Sequence, residues 1–557
     1  MTRKSKARYG MNRTYKLNAA VKALRSALFA GMAMAAVAPA AQAACTSVDN
    51  VITCSGAFGG TGLSFNPGDV ALPFDLTTII LDDTTVITST GNFGLRASSY
   101  MDLDIVSDAD ITVSTAGYAA GIFAVSYYGD TDVTNNGDIS ATSSGNTAQG
   151  ITALAQYGDV SVTNNGSIIA SAQTIGNAFG IIASSNPGDV SVDNAGSITA
   201  TSVSGRAYGI YAYSLYGDVD VSNSGDITAT STSNRAWGIY AASIYDDVSV
   251  NNDGDIVAQS TSNAAMGIFA LGENATVTGT GDVTATTTTG AATGIFAQAI
   301  DDYGVITIDV SGDVTASTTG GGNAIGIRAY SYAGDVFVTS SGDITASNVN
   351  GAAIGILTGR FGYSTVDNSG NITTETTTGN SIGIQVDSFY GANITNSGDL
   401  IDSTTNGSAR GIQALTTFDV AVYNSGDITA SSYTGGSAQG IRAKSTNGYA
   451  LIDNSGDISA TSTNSNAIAL LATAYYDVDI INTGDLSAVS DANVYGIYAN
   501  ARFGDTYVYS SGDITTNATN LTGSGIYAAA GGSSFIVNAG DISASSVYAN
   551  SYGAYAL

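Results

Sequence analysis

Apolar residues in this chain alternate with polar ones in short bursts, and the bursts come in threes. Residues 209–231 show the pattern once: "GIYAYS" carries Ile210, "DVDVSN" carries Val219 and Val221, and "DITATS" carries Ile227 and Ala229. Alternation with period two turns one face of each burst inward, which predicts three short β-strands per unit. Aligned on the glycine of "NSGDI", the unit recurs fifteen times from Gly137 to Gly540 at spacings of 27 to 31 residues, with a degenerate copy, "DADIT", around Ala109.

A propeller blade needs four strands in about 40 residues and a leucine-rich repeat needs its regular leucines, so neither fits. The expected fold is an all-β, right-handed parallel β-helix with one coil per repeat and about sixteen coils, the handedness following from the crossover preference. At ~4.8 Å per coil the rod measures about 75 Å. Stacking places like residues on like. The position two after the key glycine is Ile, Val or Leu in all fifteen units, and the isoleucines of "GI", such as Ile181, Ile210 and Ile239, supply a second wall.

Two residues before the key glycine stands asparagine in eleven of the fifteen units, among them Asn164, Asn194, Asn223 and Asn252. An inward asparagine at a bend can bond both the backbone and the asparagine stacked on it, so its expected role is structural. The glycine is expected to supply backbone angles that a residue with a Cβ adopts reluctantly. Residues 44–108 match the repeat poorly and are expected to form an N-terminal cap, with the β-helix running over 109–557 and stopping in mid-repeat.

Composition agrees with strands and turns: 68 glycines, 4 prolines and few helix formers. The first 43 residues differ, with eight cations, no acid and the apolar run "ALFAGMAMAAVAPA". They read as a secretory signal peptide ending at an A-x-A site, Ala41 and Ala43, so the mature chain starts at Ala44. Removing eight cations from 17 leaves 9 basic residues against 46 acidic ones, a net charge of −37. Nucleic acid is excluded as a partner, since binding it requires phosphate neutralisation by Lys and Arg, and anionic membrane surfaces are disfavoured on the same ground. Cys45 and Cys54, the only cysteines, lie just behind the cleavage site of an exported chain and are expected to form a disulfide.

The basic leader with "MNRTYKL" from Met11, the A-Q-A site, the early cysteine pair and the tandem "V-x-N-x-G-D-I-T-A" units together resemble the passenger region of a Gram-negative autotransporter. The resemblance spans essentially the whole chain. It implies a right-handed β-helix displayed on the outer membrane surface or released, often an adhesin, that is exported through a C-terminal β-barrel. Nothing barrel-like follows the last repeat, so the expectation is a fragment lacking its barrel.

Three patterns carry candidate chemistry. Asp follows the key glycine in twelve units, including Asp226, Asp255, Asp427, Asp457, Asp485 and Asp513. Stacked carboxylates could hold Ca²⁺, which takes hard oxygen ligands, or could bond turn N–H groups and be screened by salt. Tyr128, Tyr157, Tyr216 and Tyr245 mark an aromatic corner stripe that either offers an adhesive face or stacks on itself. With no histidine, Ser-His-Asp and histidine–metal catalysis are excluded. Only carboxylate chemistry remains, for which Asp82–Asp83, Asp246–Asp247 and Asp301–Asp302 are the pairs to weigh. None sits in a divergent stretch with cations nearby, and Arg206 and Arg235 read as an isolated surface pair. The expected function is a non-enzymatic adhesin contacting a host or neighbouring-cell glycan or protein, or its own copies, with no cofactor. A polysaccharide hydrolase or lyase and a Ca-loaded structural rod are the alternatives.

Overall fold

The computed structural model describes residues 43–48, 50–65 and 77–557, so the leader, apart from Ala43, and Pro67 and Pro73 lie outside the described residues. Every regular element in them is a β-strand, and 54 of the 55 strands fall into eighteen successive triplets. One coil reads Val219–Asn223, Ile227–Ser231 and Ala236–Ser243, joined by tight corners. Equivalent strands of neighbouring coils pair in parallel with like positions opposed, as in Val190, Val219 and Val248, or Ile198, Ile227 and Ile256, or Ile181, Ile210 and Ile239. The result is a parallel β-helix of three sheets, which we call first, second and third in the order of that coil.

The inward columns are Ile, Val and Ala, and their side chains are buried in one continuous core from Ile52 to Ala528. Each fully buried Val or Ile contributes roughly 1.5–3 kcal/mol. A single coil could not enclose these residues, so burial exists only through its neighbours.

The coiling starts earlier than the repeat motif does. Val51–Ser55, Ala57–Gly60 and Leu63–Phe65 pair in parallel with Thr77–Leu81, Val86–Ser89 and Phe93–Ser99, which pair in turn with the coil beginning at Leu103. The described part of the expected cap therefore belongs to the same three sheets and adds two coils to the sixteen that run from Leu103 onward. These coils keep the apolar alternation, with Ile79, Leu81, Ile87 and Leu95 buried, and lack only the "NSGDI" corner. Among the described residues the departure is Ala44–Val48, which runs antiparallel to Val51–Ser55 and covers the first sheet's outer edge. Cys45 faces Cys54 across that pair, and the two form the disulfide.

The asparagines are buried and form a ladder. Asn164 Nδ2 donates to Asn194 Oδ1 at 2.8 Å, Asn194 to Asn223 at 2.7 Å and Asn223 to Asn252 at 2.7 Å. Each Nδ2 also donates to the carbonyl of the key glycine two residues on, at 2.6–2.8 Å for these four. A second run extends from Asn368 to Asn482. All these amides point the same way along the axis, so the first oxygen of each run, Asn135 Oδ1 and Asn368 Oδ1, has no donor.

The key glycines are required for a reason other than backbone angle. Positive φ among glycines occurs at Gly56, Gly60, Gly62, Gly176, Gly279, Gly359 and Gly391, none of them a key position. At the key positions neighbouring corners approach too closely for a side chain: a Cβ on Gly225 would lie 2.1 Å from Gly196 O, and one on Gly196 would lie 1.9 Å from Gly166 O.

These contacts predict opposite outcomes for paired substitutions, read as equilibrium unfolding in denaturant. Asn223→Ala leaves the Asn194 amide without its acceptor and is expected to lose about 1–3 kcal/mol. Ser340→Asn, one coil before Asn368 and at a hydroxyl that itself has no partner, supplies the missing donor and is expected to gain about 1 kcal/mol. Gly225→Ala is expected to lose about 1–3 kcal/mol by overpacking, whereas Gly321→Ala, with nothing within 4 Å of the new Cβ, changes stability by less than about 1 kcal/mol.

Candidate functional site

The aspartate after the key glycine stands immediately before each second-sheet strand, where the chain has just turned. Except at Asp541, in the last coil, one carboxylate oxygen accepts the backbone N–H of the equivalent residue one coil on. Asp226 takes Asp255 N at 3.3 Å, Asp255 takes Asp282 N at 3.1 Å, and Asp427 takes Asp457 N at 2.9 Å. Asp457, Asp485 and Asp513 take the amides of Asp485, Asp513 and Asp541 at 2.8–2.9 Å. The other two corners do the same. Asp102, Asp130, Asp159 and Asp189 bond the next coil's amide before the first sheet, and Asn177, Asn323, Asn380 and Asn493 do so before the third. Sequence reasoning singled out only the first of these columns, although the second is visible as the other "GD" of each unit.

The six calcium candidates are not gathered into a group of three carboxylates. Among the described residues that arrangement occurs at Asp218, Asp246 and Asp247, whose ligand oxygens lie within 4.8 Å of one another. Burial, then hydrogen bonding and charge from Asp246, push the Asp218 carboxyl up, and Asp247 Oδ1 already holds Asn274 N and Nδ2. The other paired acids serve local turns: Asp82 Oδ1 accepts from Thr84 N, Thr84 Oγ1 and Thr85 Oγ1, and Asp301 Oδ1 accepts from Asp302 N. Asp104 and Asp132, opposed in register on the first sheet, escaped sequence reasoning because they lie a coil apart. Burial pushes Asp104 up to about 6 and Asp132 up to about 7, the latter also through the charge of Asp104 and its neighbours.

The corner aromatics pair with one another. Tyr128 stacks on Tyr157 at 5.7 Å and Tyr216 on Tyr245 at 5.0 Å, with planes within 11°. A larger aromatic array lies on the outer face of the third sheet, where the residues just before and just after "GI" point outward. Phe179, Tyr208 and Trp237 stack at 4.8 and 4.7 Å. Beside them Tyr211, Tyr240 and Phe269 stack at 5.0 and 5.1 Å. Arg206 and Arg235 both lie against Trp237, 5.7 and 5.6 Å from its ring. The signal was present in "FGII", "YGIY" and "WGIY", but alternation was read only for its buried half.

No family model matches this chain, and neither a curated protein nor a solved structure is significantly similar to it.

One polar cluster sits inside the core. In the second sheet's inward alanine column, Thr374 and Asp402 stand between Ala346 and Ala430. Thr374 Oγ1 donates to Asp402 Oδ1, while Asp402 Oδ2 has no partner. Burial holds the Asp402 carboxyl well above its ordinary range. The stability it supports is complete below the unfolded carboxyl value of about 4 and falls as pH rises toward the folded value. Asp402→Asn removes this titration. Above pH ~4 the native chain is expected to lose stability relative to the variant by about 1.4 kcal/mol per pH unit until the folded value is reached, measured as paired denaturation curves from pH 4 to 8.

Proposed function

We propose that this chain is an exported, non-enzymatic rod that works in adhesion, aggregation or biofilm contact, as the passenger of an autotransporter-like protein. The observation that carries this reading is the outer face of the third sheet. The core does not need these rings, yet they run through successive coils of an otherwise acidic, hydroxyl-rich surface. Tyr208 and Trp237 are buried, while Phe179, Tyr211, Tyr240 and Phe269 stay partly exposed, and a partly exposed apolar row of this kind suits contact with another body. The ring faces are turned toward one another along the axis, so the surface presents ring edges and tyrosine hydroxyls, which suit a broad contact better than a pocket. The cysteine pair accords with an oxidising compartment, and from residue 77 onward the corners are short, at most the six residues 300–305, with no inserted loop in which carboxylate catalysis would be assembled.

The test removes two rings that are half-exposed and lie outside the core. Tyr211→Ala with Tyr240→Ala is expected to reduce retention on cells about tenfold, which is the effect of two aromatic contacts of roughly 0.5–1.5 kcal/mol each, with an unchanged circular dichroism spectrum. Release of reducing ends or unsaturated sugars from polysaccharide by the native chain would replace this reading with the enzymatic one.

A further inference from the structure

Beyond residue 43 the chain has nine cations, and five of them, Arg328, Arg360, Arg410, Arg442 and Lys444, fall within 328–444. Three converge. Arg360, Arg442 and Lys444 line an open groove of about 500 Å³ where the third sheet turns into its last corner, together with Phe361, Phe389 and Asp387. Asp387, Leu415 and Lys444 occupy one outward column in three successive coils. Lys444 is the only lysine after the leader.

The repeat bends its own rules at this groove. Arg360 stands at φ 153°, one of two non-glycine residues with positive φ among those described. Such a backbone is strained by about 1–3 kcal/mol, and strain of this kind clusters at functional sites. The Arg360 guanidinium lies 4.8 Å from the Tyr330 ring and remains exposed. Tyr332, Phe361 and Phe389 follow one another at 5.3 and 5.7 Å but are tilted by 56° and 54°, so their faces are not consumed by parallel stacking. Asp387 accepts from Gln385 Nε2 at 2.6 Å, and burial pushes its carboxyl up against the opposing pull of that hydrogen bond and of the Arg442 charge. The rest of the acidic rod is screened over about 8 Å at physiological salt.

We propose that this groove binds an acidic sugar unit of a surface polysaccharide, with Arg360, Arg442 and Lys444 taking its carboxylate or sulfate and Phe361 and Phe389 taking the C–H face of its ring. Arginine suits the planar anion through paired N–H donors. The inference rests on the adhesive reading for its setting and names a ligand class for it, but shares no residue with the Tyr211–Tyr240 face.

The experiment is calorimetric titration of the full chain with hexagalacturonate, with its fully methyl-esterified form, and with a heparin hexasaccharide. Binding of the uronate or the sulfated probe is expected, the two arms telling carboxylate from sulfate, with the ester at least tenfold weaker than its acid. Arg442→Gln combined with Lys444→Gln is expected to weaken binding at least tenfold. Lys444→Gln alone, at an exposed side chain, is expected to weaken it several-fold without altering the melting curve. Equal affinity for acid and ester, unchanged binding by the variants, or no binding of either acidic probe would overturn the proposal. The Tyr211→Ala, Tyr240→Ala chain is expected to keep its uronate affinity, so loss of cell retention and loss of acidic-sugar binding are read separately.

Discussion

A side-chain oxygen holding the backbone N–H of the next coil, repeated along the corners before the first and second sheets, is the contact on which this molecule depends. Parallel strands satisfy one another's amides along their straight parts, but a corner breaks that ladder three times per coil. Asp226 and Asp189 restore it on the outside. The price of stacking carboxylates ~4.8 Å apart is about 0.9 kcal/mol per neighbouring pair in water, and a hydrogen bond to a charged group returns roughly 1.5–3 kcal/mol. The bond wins, and salt widens the margin. Much of the acidity of the chain is therefore corner architecture.

Burial decides which acceptor does the same work. Outside, where water solvates the charge, the residue is mostly aspartate. Inside, at Asn164, Asn194, Asn223 and Asn252, a buried carboxylate would be heavily penalised and could not donate. Asparagine both donates and accepts, so it can bond the coil on either side and the glycine carbonyl of its own corner. The aromatic stacks obey the same rule as the polar ladders: a residue is tolerated in a column when it can rest on its own kind.

This rule explains how much was legible in the sequence. Period and alternation were enough for the three sheets, the register and the asparagine ladder, because each is a like-on-like column. The first coils were missed because Ile79, Leu81 and Ile87 keep the inward pattern without the corner phrase that was used to count. The key glycines were assigned to backbone angle, whereas the crowding that requires them arises between coils and has no trace within one repeat. The outward rings around "GI" and the Asp104–Asp132 pair were overlooked for the same reason, since their meaning lies in what stands one coil away.

Where the rule is broken, the break has to be held in place by two neighbouring coils, so exceptions are informative by position. Thr374 and Asp402 replace alanine in adjacent coils, and Arg360, Arg442 and Lys444 interrupt an acidic surface within the same stretch of rod. The same alanine column is broken again at Thr516, whose buried hydroxyl has no partner, so the inward departures are not confined to the stretch that carries the groove. At the groove the backbone is strained at Arg360, and strain of that kind persists only where its surroundings over-determine it.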